Sequence, residues 1–347
     1  MKLFNSYRSD TVVLLMILIV KSQLRLSHAD KIESSYTTHP TGLLSPTPVP
    51  TPMVPMNAEL DQVPDSPLVL DYHMGPLMTG LDDVLKLYVI YYGSFSTKQK
   101  STLQLFFNSL RQGVKPTQVS SFPTVFKWWQ LTREYRDLYG DGVARQVVLA
   151  GERNIPSAGN LTQLDIQQIV KDSTVEFGKS ARVMYLVLTD DDVTVERFCM
   201  NVCGTHFYTY PSDETDSQML PYAWVGNPTK QCPSLCSWPY APGGLQKIGL
   251  ISPNGDAGID GMIITIATLL ANVVTNPFGS GYYQPDGLEA ASVCQGIYGT
   301  GAFPGSPGKL LVDNSSGASF NVFGEKNAKF LLPWIWQPST LKCAGQE

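Results

Sequence analysis

Hydrophobic and polar positions alternate along the chain in a way that predicts strands and helices in turn. The run from Lys86 to Tyr92 is mostly apolar and stops at Gly93, which is typical of a buried strand. Ser96 and Gln99 have the spacing of a capping box and predict the start of a helix. The apolar residues that share one face of this helix are Leu103, Phe106, Phe107 and Leu110.

A second unit follows, with helical periodicity over residues 162–170 and an apolar strand over residues 182–188. Alternating helices and strands predict an α/β layer structure. The most apolar segment after the N-terminal region, residues 261–275, has apolar residues on every side, so we expect it to be a helix at the centre of the core. With 15 residues, and with Thr265, Thr268 and Asn272 inside it, the segment is a poor membrane span.

Beyond residue 277 the chain is rich in Gly and Pro, which predicts long ordered loops. Residues 313–317 have the composition of a turn and predict a hairpin between residues 309–312 and 319–323. We therefore predict one globular domain over residues 67–347, of the α/β or α+β class. Its mixed sheet would pack on helices, and disulfides would hold its loop-rich C-terminal part.

Two segments before residue 67 differ in composition. An uninterrupted apolar run at residues 11–20 follows a basic start, which predicts a cleaved signal peptide over residues 1–29; a retained signal anchor is the alternative. Residues 30–66 are rich in Pro, Thr and Ser and predict an extended spacer, with a Pro-rich docking ligand as the alternative. We expect a secreted protein without an integral membrane span once the signal is removed.

Six cysteines lie beyond the predicted signal peptide: Cys199, Cys203, Cys232, Cys236, Cys294 and Cys343. An even number in an exported chain predicts three disulfides and no free thiol, although the two Cys-x-x-x-Cys pairs leave zinc as an alternative. We expect Cys294 to pair with Cys343; the other four would cross-link two loops, with local and crossed pairing both open. Asn160 and Asn314 are predicted glycosylation sites.

Residues suited to catalysis are few. The net charge of −5, without a basic cluster, argues against nucleic acid as a partner. The predicted domain has two histidines, which we interpret as structural: His73, and His206 as a loop residue with local hydrogen bonds. The chain has no nucleophile elbow, no phosphate-binding loop with Lys-Ser/Thr and no His-Glu-x-x-His motif.

Two further groups of residues have alternative interpretations. Residues 190–192 are three consecutive aspartates after a predicted strand, typical of a solvated turn, with a calcium site as the alternative. The six tryptophans are Trp128, Trp129, Trp224, Trp238, Trp334 and Trp336. Tryptophans are mostly packing groups, and a platform that stacks on sugar rings is the alternative.

Several motifs occur in an order that resembles the plant EXORDIUM, or phosphate-induced, family over residues 70–345. They are Tyr-His-Met-Gly-Pro-Leu at 72–77, Val-Thr-Val-Glu-Arg-Phe-Cys-Met at 193–200, Cys-Gly-Thr-His at 203–206, Ala-Trp-Val-Gly-Asn at 223–227, Gln-Cys-Pro at 231–233, Asn-Pro-Phe-Gly at 276–279, Gly-Tyr-Tyr-Gln at 281–284 and Leu-Glu-Ala-Ala-Ser at 288–292. Met74, where Asn is expected in relatives, and the long spacer depart from the pattern. The resemblance implies an apoplastic or cell-wall protein linked to growth, cell expansion and hormone- or carbon-responsive signalling, with no established catalytic activity.

A second resemblance concerns residues 267–294, which are similar to a motif of secreted bacterial zinc-peptidase-like proteins. It places Thr268 and Asn272 at two metal-ligand positions, Leu269 at the position of the catalytic Glu, and Ser292 at the position of a later Asp. Because Thr, Asn and Ser are poor zinc ligands and Leu is no base, the resemblance implies a zincin-like fold with a degenerate metal centre. We expect no zinc and no other cofactor.

The sequence thus predicts a non-catalytic binding or signalling protein of the apoplast. Its partner would be a cell-wall polysaccharide or a receptor ectodomain. The alternative is a hydrolase that acts on wall glycan or peptide through carboxylates such as Asp190, Asp191, Glu196 or Glu289. A purely structural wall component is the third possibility.

Overall fold

A computed structural model of the protein describes residues 49–50, 69–113, 122–200, 202–242 and 249–346. The predicted signal peptide, and the predicted spacer apart from Val49–Pro50, lie outside the described residues. Export, cleavage and the domain boundaries therefore stay predictions.

A six-stranded mixed sheet lies at the centre of the fold. In spatial order its strands are β1 (Val49–Pro50), β6 (Gly204–Tyr208), β7 (Pro221–Gly226), β5 (Val183–Thr189), β3 (Val84–Tyr92) and β4 (Gln146–Ile155). β4, β3, β5 and β7 are parallel, whereas β6 pairs antiparallel with both β7 and β1. The predicted mixed sheet is confirmed.

The connections between the parallel strands contain helices. α1 (Thr97–Ser109) and the short α2 (Val125–Gln130) lie between β3 and β4, and α3 (Gln163–Phe177) lies between β4 and β5. After β7 come the short α4 (Pro233–Cys236) and the long α5 (Ala257–Thr275). The strand predicted at 86–92, the helix after Ser96 and the strand predicted at 182–188 are confirmed. α3 continues seven residues beyond its predicted end at residue 170.

Side-chain caps fix where two of the helices begin. The Ser96 hydroxyl accepts a hydrogen bond from Gln99 N (3.2 Å) while Ser96 N donates to Gln99 Oε1 (2.9 Å), so the predicted capping box of α1 is present. α5 begins four residues earlier than predicted because the Asp256 side chain accepts from Ile259 N at 3.1 Å.

The sheet is covered on both faces, and β5 shows how. All seven of its residues are buried. Met184, Leu186 and Leu188 belong to the apolar cluster that includes α1 and α5. Val183, Tyr185 and Val187 belong to the cluster that includes α3. Successive side chains of a strand point to opposite faces, so the continuous apolar run of β5 reflects a strand with a packed layer on each side.

α5 is the core helix that the pattern of residues 261–275 predicts. Its length and composition alone would suit a membrane span, but nearly all of it is buried within the protein. Ile259, Ile263 and Ile266 pack in the same cluster as α1 and β3. The helix therefore forms one face of the core and brings its C-terminal half to β6 and β7.

The C-terminal part consists of loops and short two-stranded pieces. The predicted hairpin is present but shorter, as β9 (Leu311–Val312) and β10 (Ser319–Phe320). Residues 322–323, predicted as its continuation, instead form β11 and pair with β12 (Lys329–Phe330). The remaining pairs are β2 (Asp71–Tyr72) with β8 (Tyr282–Tyr283), and β13 (Ile335–Gln337) with β14 (Lys342–Ala344).

All six cysteines form disulfides. Cys294 pairs with Cys343, as predicted. The other two bridges are Cys199–Cys232 and Cys203–Cys236. The pairing is therefore crossed, because each bridge joins one Cys-x-x-x-Cys pair to the other. Together they join the loop before β6 to the segment of α4, which lies between β7 and α5. The zinc alternative for these cysteines is therefore wrong.

Candidate functional site

Two of the four positions aligned with the zinc-peptidase motif come together at the C-terminal end of α5. Asn272 Oδ1 accepts hydrogen bonds from Ala291 N (2.8 Å) and Ser292 N (3.4 Å). Thr268 instead donates its hydroxyl to Ile264 O within the helix (2.9 Å), and Leu269 packs in the apolar core. The amide of Asn272 thus fastens the loop after β8 to the helix.

A buried pair of ionisable side chains joins this region to β6. His206 Nε2 lies 2.6 Å from Glu289 Oε2, and the two side chains are 3% and 1% exposed. Asn276 Nδ2 donates to the second carboxylate oxygen of Glu289 at 2.6 Å. Ser292 Oγ accepts from Glu289 N at 2.7 Å. We refer to His206, Asn272, Asn276, Glu289 and Ser292 as the His206–Glu289 centre.

The contacts of Glu289 define the hydrogen-bond roles in this centre. An amide NH₂ can only donate, so Glu289 Oε1 is an acceptor. Glu289 Oε2 shares a hydrogen bond with His206 Nε2, so both oxygens of the carboxyl group are bonded within the protein. His206 Nδ1 is buried and has no hydrogen-bond partner among the described residues. Our interpretation of His206 as a loop residue with local hydrogen bonds is wrong, because it lies on a strand and its partner is 83 residues away.

The centre also anchors the loop between α5 and β8. Asn276 Oδ1 accepts from Gly281 N at 2.7 Å. Gly281 O in turn accepts from His73 N (2.9 Å), and the His73 ring stacks on Tyr283 with 3.7 Å between centroids. Gly281 is required at this position because an added Cβ would lie 2.1 Å from Thr275 O. One network of bonds therefore links β6, the end of α5 and the segment around His73.

The residues of this centre do not fit a zinc ion. Zinc in proteins takes three or four thiolate, imidazole or carboxylate donors, and no group of three His, Cys, Asp or Glu side chains converges in the described part of the chain. His206 and Glu289 would supply two donors, but they bond each other. Asn272 and Ser292 are neutral, and their oxygens already accept backbone N–H groups.

The three consecutive aspartates make different contacts. Asp190 is buried, and its carboxylate accepts from Ser94 N and from Asp192 N. Asp191 and Asp192 both pair with Lys230, at 3.1 and 2.7 Å; these hydrogen bonds, that of Asp192 first, raise the pKa of the Lys230 ammonium. The predicted solvated turn is thus wrong for Asp190, which ties the carboxyl ends of β3 and β5 together.

Four tryptophans are packing groups. Trp128, Trp129, Trp224 and Trp336 are at most 2% exposed, which rules them out as sugar platforms, and Trp238 and Trp334 are half-buried. The indole N–H of Trp128 donates to Pro333 O (2.7 Å) and that of Trp129 to Ala144 O (2.9 Å). Among the other aromatic residues, Tyr139 is by contrast 87% exposed.

The remaining predicted positions lie at the surface. Glu196 Oε2 accepts from Gln163 N at the start of α3 (3.1 Å), a favourable place for a carboxylate. Asn160 and Asn314 are exposed, as glycosylation requires, and their modification stays a prediction.

The fold and this centre define an α/β protein with a mixed sheet, three disulfides and a buried His–Glu pair. Residues 70–346 match the family model of the phosphate-induced protein 1 conserved region, and the chain belongs to this family. It is 39% identical over 289 residues to "Protein EXORDIUM-like 2" of Arabidopsis thaliana, an alignment that covers 81% of this chain and 90% of the relative.

Two further relatives show similar agreement. Identity is 38% over 294 residues to "Protein PHOSPHATE-INDUCED 1" of Nicotiana tabacum, with 82% of this chain and 90% of the relative covered. It is also 38% over 297 residues to "Protein EXORDIUM" of Arabidopsis thaliana, with 82% and 91% covered. No solved structure matches the chain significantly.

Proposed function

We propose that this protein is exported to the apoplast or cell wall and acts there by non-catalytic binding. The observation that carries the proposal is the pairing of all six cysteines in disulfides. Such bonds persist in oxidising compartments and are rare in the cytosol. The apolar run at residues 11–20 supplies an export signal. The partner is a cell-wall polysaccharide or a receptor ectodomain.

The physiological role that we propose is in growth, cell expansion and hormone- or carbon-responsive signalling. It rests on membership of the phosphate-induced protein 1 family. The relatives' names refer to EXORDIUM and to induction by phosphate. Neither name specifies a reaction.

The chemistry of the His206–Glu289 centre supports a non-catalytic mode. Each of its carboxyl and amide oxygens is already hydrogen-bonded within the protein, and a catalytic acid or base needs a proton within reach of a substrate. We further propose that the fold is zincin-like with a lost metal centre. This proposal is supported by the contact between Ser292 N and Asn272 Oδ1 (3.4 Å). The contact joins two positions that are aligned with the zinc-peptidase motif and lie twenty residues apart in the chain.

Elemental analysis of purified, untagged protein tests the loss of the metal centre. We expect no stoichiometric zinc. Zinc that is stoichiometric in the wild type and absent from Asn272→Ala would contradict the proposal, and Thr229→Ala, outside the centre, serves as the matched control.

The test of location and binding uses the full-length chain expressed in plant suspension cells. We expect the protein in the medium or wall fraction, and a variant without residues 2–29 inside the cells. The secreted protein is then applied to an array of wall glycans and used to pull down receptor ectodomains. Retention of the full-length chain in the cytosol, or reproducible absence of binding in both assays, would refute the proposal.

The second candidate is a hydrolase that acts on wall glycan or peptide. The observation that favours it is the buried His206–Glu289 pair, since an imidazole next to a carboxylate is a common acid–base arrangement. Turnover of a wall substrate that Glu289→Gln abolishes, in a variant that remains folded by circular dichroism, would establish this function in place of the first.

A further inference from the structure

A polar cleft of about 470 Å³ opens at the turn before β3, and none of its lining residues belongs to the His206–Glu289 centre. Its charged lining consists of Asp82, Asp83, Arg133, Arg136, Asp141 and Arg182. We refer to it as the Arg/Asp cleft. The volume is in the range of sites that hold small ligands, and the lining comes from three separate parts of the chain.

Two of the arginines are held in place by the protein. Arg133 Nη1 donates to Asp83 Oδ1 (2.9 Å) and to Val143 O (3.3 Å). Arg136 Nη1 donates to the carbonyl oxygens of Arg133 and Tyr135. A Cβ at Gly142 would lie 2.3 Å from Arg136 Nη1, so the guanidinium occupies space that any other residue would fill. The guanidinium groups of Arg133 and Arg136 are therefore held in position by the protein itself.

The two lining aspartates before β3 lie on an unusual turn. Asp82 and Asp83 have φ of 51° and 63°, in the left-handed region. They connect Leu81 to Val84, whose backbone groups bond each other at 2.9 and 3.0 Å. Two-residue turns of this kind favour Asn and Gly. Asp83 has a structural role, because its Oδ1 also accepts from Arg145 N (2.9 Å), whereas the side chain of Asp82 bonds no group in the described part of the chain.

Three charged side chains of the cleft have no partner among the residues that the structure describes. Asp82, Asp141 and Arg182 are exposed, and their side chains make no hydrogen bond or ion pair within the described residues. A carboxylate accepts hydrogen bonds and a guanidinium donates them. The unpartnered groups thus offer both acceptors and donors to a ligand.

The charges of the cleft balance. Once the Arg133–Asp83 ion pair is set aside, two arginines and two aspartates remain. A phosphate or an acidic sugar would gain little net attraction from such a lining, since its positive and negative charges are equal in number. A neutral ligand whose groups both donate and accept hydrogen bonds suits it best, and sugar hydroxyls are such groups.

An exposed aromatic ring stands next to the cleft in the chain. Tyr139 precedes the lining residue Gly140 and is 87% exposed. Hydrogen bonds hold its turn together: Asp137 Oδ1 accepts from both Tyr139 N and Asp141 N at 2.9 Å. The apolar C–H face of a pyranose ring can stack on such a side chain, which has an apolar body and a polar end.

We propose that the Arg/Asp cleft is a binding site for an uncharged, hydroxyl-rich glycan chain. Asp82, Asp141 and Arg182 bond the hydroxyls of one sugar unit, while Tyr139 stacks on a neighbouring unit. This inference rests on the proposed function, of which it names the ligand class and the place.

Glycan binding by variants of the secreted full-length protein tests the site. The probes are uncharged xyloglucan, cello- and manno-oligosaccharides, with oligogalacturonides and inorganic phosphate as the anionic alternatives. We expect binding of an uncharged oligosaccharide that weakens about tenfold or more in Tyr139→Ala, Arg182→Gln and Asp82→Asn. Phe303→Ala, an exposed aromatic residue outside the cleft, should bind as the wild type does.

The outcomes distinguish this inference from the proposed function. Uncharged glycan binding that all three cleft variants retain would overturn the site and leave the proposed function standing. Binding to receptor ectodomains, without binding to any glycan, would also overturn the site and leave the proposed function standing. Binding restricted to oligogalacturonides or phosphate, and weakened by raising salt from 50 to 500 mM, would overturn the ligand class. Absence of binding to every glycan and ectodomain would refute both.

Discussion

The His206–Glu289 centre and the Arg/Asp cleft are both rich in charged groups, but they use them in opposite ways. In the centre, the side chain of Glu289 is 1% exposed and both of its carboxyl oxygens are hydrogen-bonded to other side chains. In the cleft, Asp82 and Arg182 are exposed and have no side-chain partner among the described residues. The comparison indicates that the centre stabilises the fold and that the cleft is available for a ligand.

The physical reason for the difference is desolvation. A buried charge that loses its partner is left in a medium of low dielectric constant, whereas an exposed charge keeps its water. Substitutions in the centre should therefore reduce stability, and substitutions in the cleft should reduce binding.

The largest effect is expected for Glu289→Ala. The substitution leaves His206 Nε2 and Asn276 Nδ2 buried without their hydrogen-bond partner, so the free energy of unfolding should fall by about 3–5 kcal/mol. Urea denaturation followed by tryptophan fluorescence measures it. Glu176→Ala is the matched control, because its side chain is 55% exposed and its ion pair is long, at 3.9 Å. A loss below about 1 kcal/mol for Glu289→Ala would mean that the pair is not structural.

The next effect concerns Asp260, a buried carboxyl at the N-terminal end of α5. Burial raises the pKa of Asp260 to about 7, against hydrogen bonds from Asn254 that lower it. The folded state therefore binds a proton that the unfolded state has released, and stability falls as pH rises from about 4 to about 7, by roughly 2–4 kcal/mol. Above that window the contribution no longer changes.

Denaturation curves at several pH values check this dependence. Asp260→Asn should remove the slope between pH 4 and 7, whatever its effect on stability at a single pH. Asp286→Asn, at an exposed carboxylate, should retain the slope. An Asp260→Asn curve parallel to that of the wild type would show that Asp260 is not the titrating group.

A smaller effect is expected for Asn272→Ala. Its side-chain oxygen accepts from Ala291 N and Ser292 N, and removing it leaves these buried N–H groups unsatisfied, at a cost of about 2 kcal/mol. Thr268→Val, one helical turn earlier, should cost less than about 1 kcal/mol, because the hydroxyl only bonds a carbonyl of its own helix. Equal losses in chemical denaturation would contradict the distinction between the two aligned positions.

The elements of the fold with a strong local pattern could be predicted from the sequence. β5 is apolar at almost every position because both its faces are packed, and α1 has its cap and its buried face within a few residues of each other. The bond between Cys294 and Cys343 was also predictable, because these were the two cysteines outside the Cys-x-x-x-Cys pairs.

The two sites could not be predicted in the same way, because the fold assembles them from distant segments. His206 and Glu289 are 83 residues apart, and β6 is a short strand that follows a loop held by two disulfides. A usable signal was present, since both residues lie within family motifs, at 203–206 and 288–292. The Arg/Asp cleft gives no such signal: Asp82, Arg133 and Arg182 meet only through the order of the sheet strands.

The smallest effect on stability should come from the cleft, and it decides the comparison. Arg182→Gln and Asp82→Asn remove exposed side chains that have no partner within the described residues. Each should change the free energy of unfolding by less than about 0.5 kcal/mol. Asp82→Asn should be neutral or slightly stabilising, because Asn tolerates the φ of 51° at this position well. The same urea titrations as for Glu289→Ala measure these changes. A loss above about 1 kcal/mol in either variant would place the cleft with the buried centre as a structural element, since exposed charges without partners contribute little to stability.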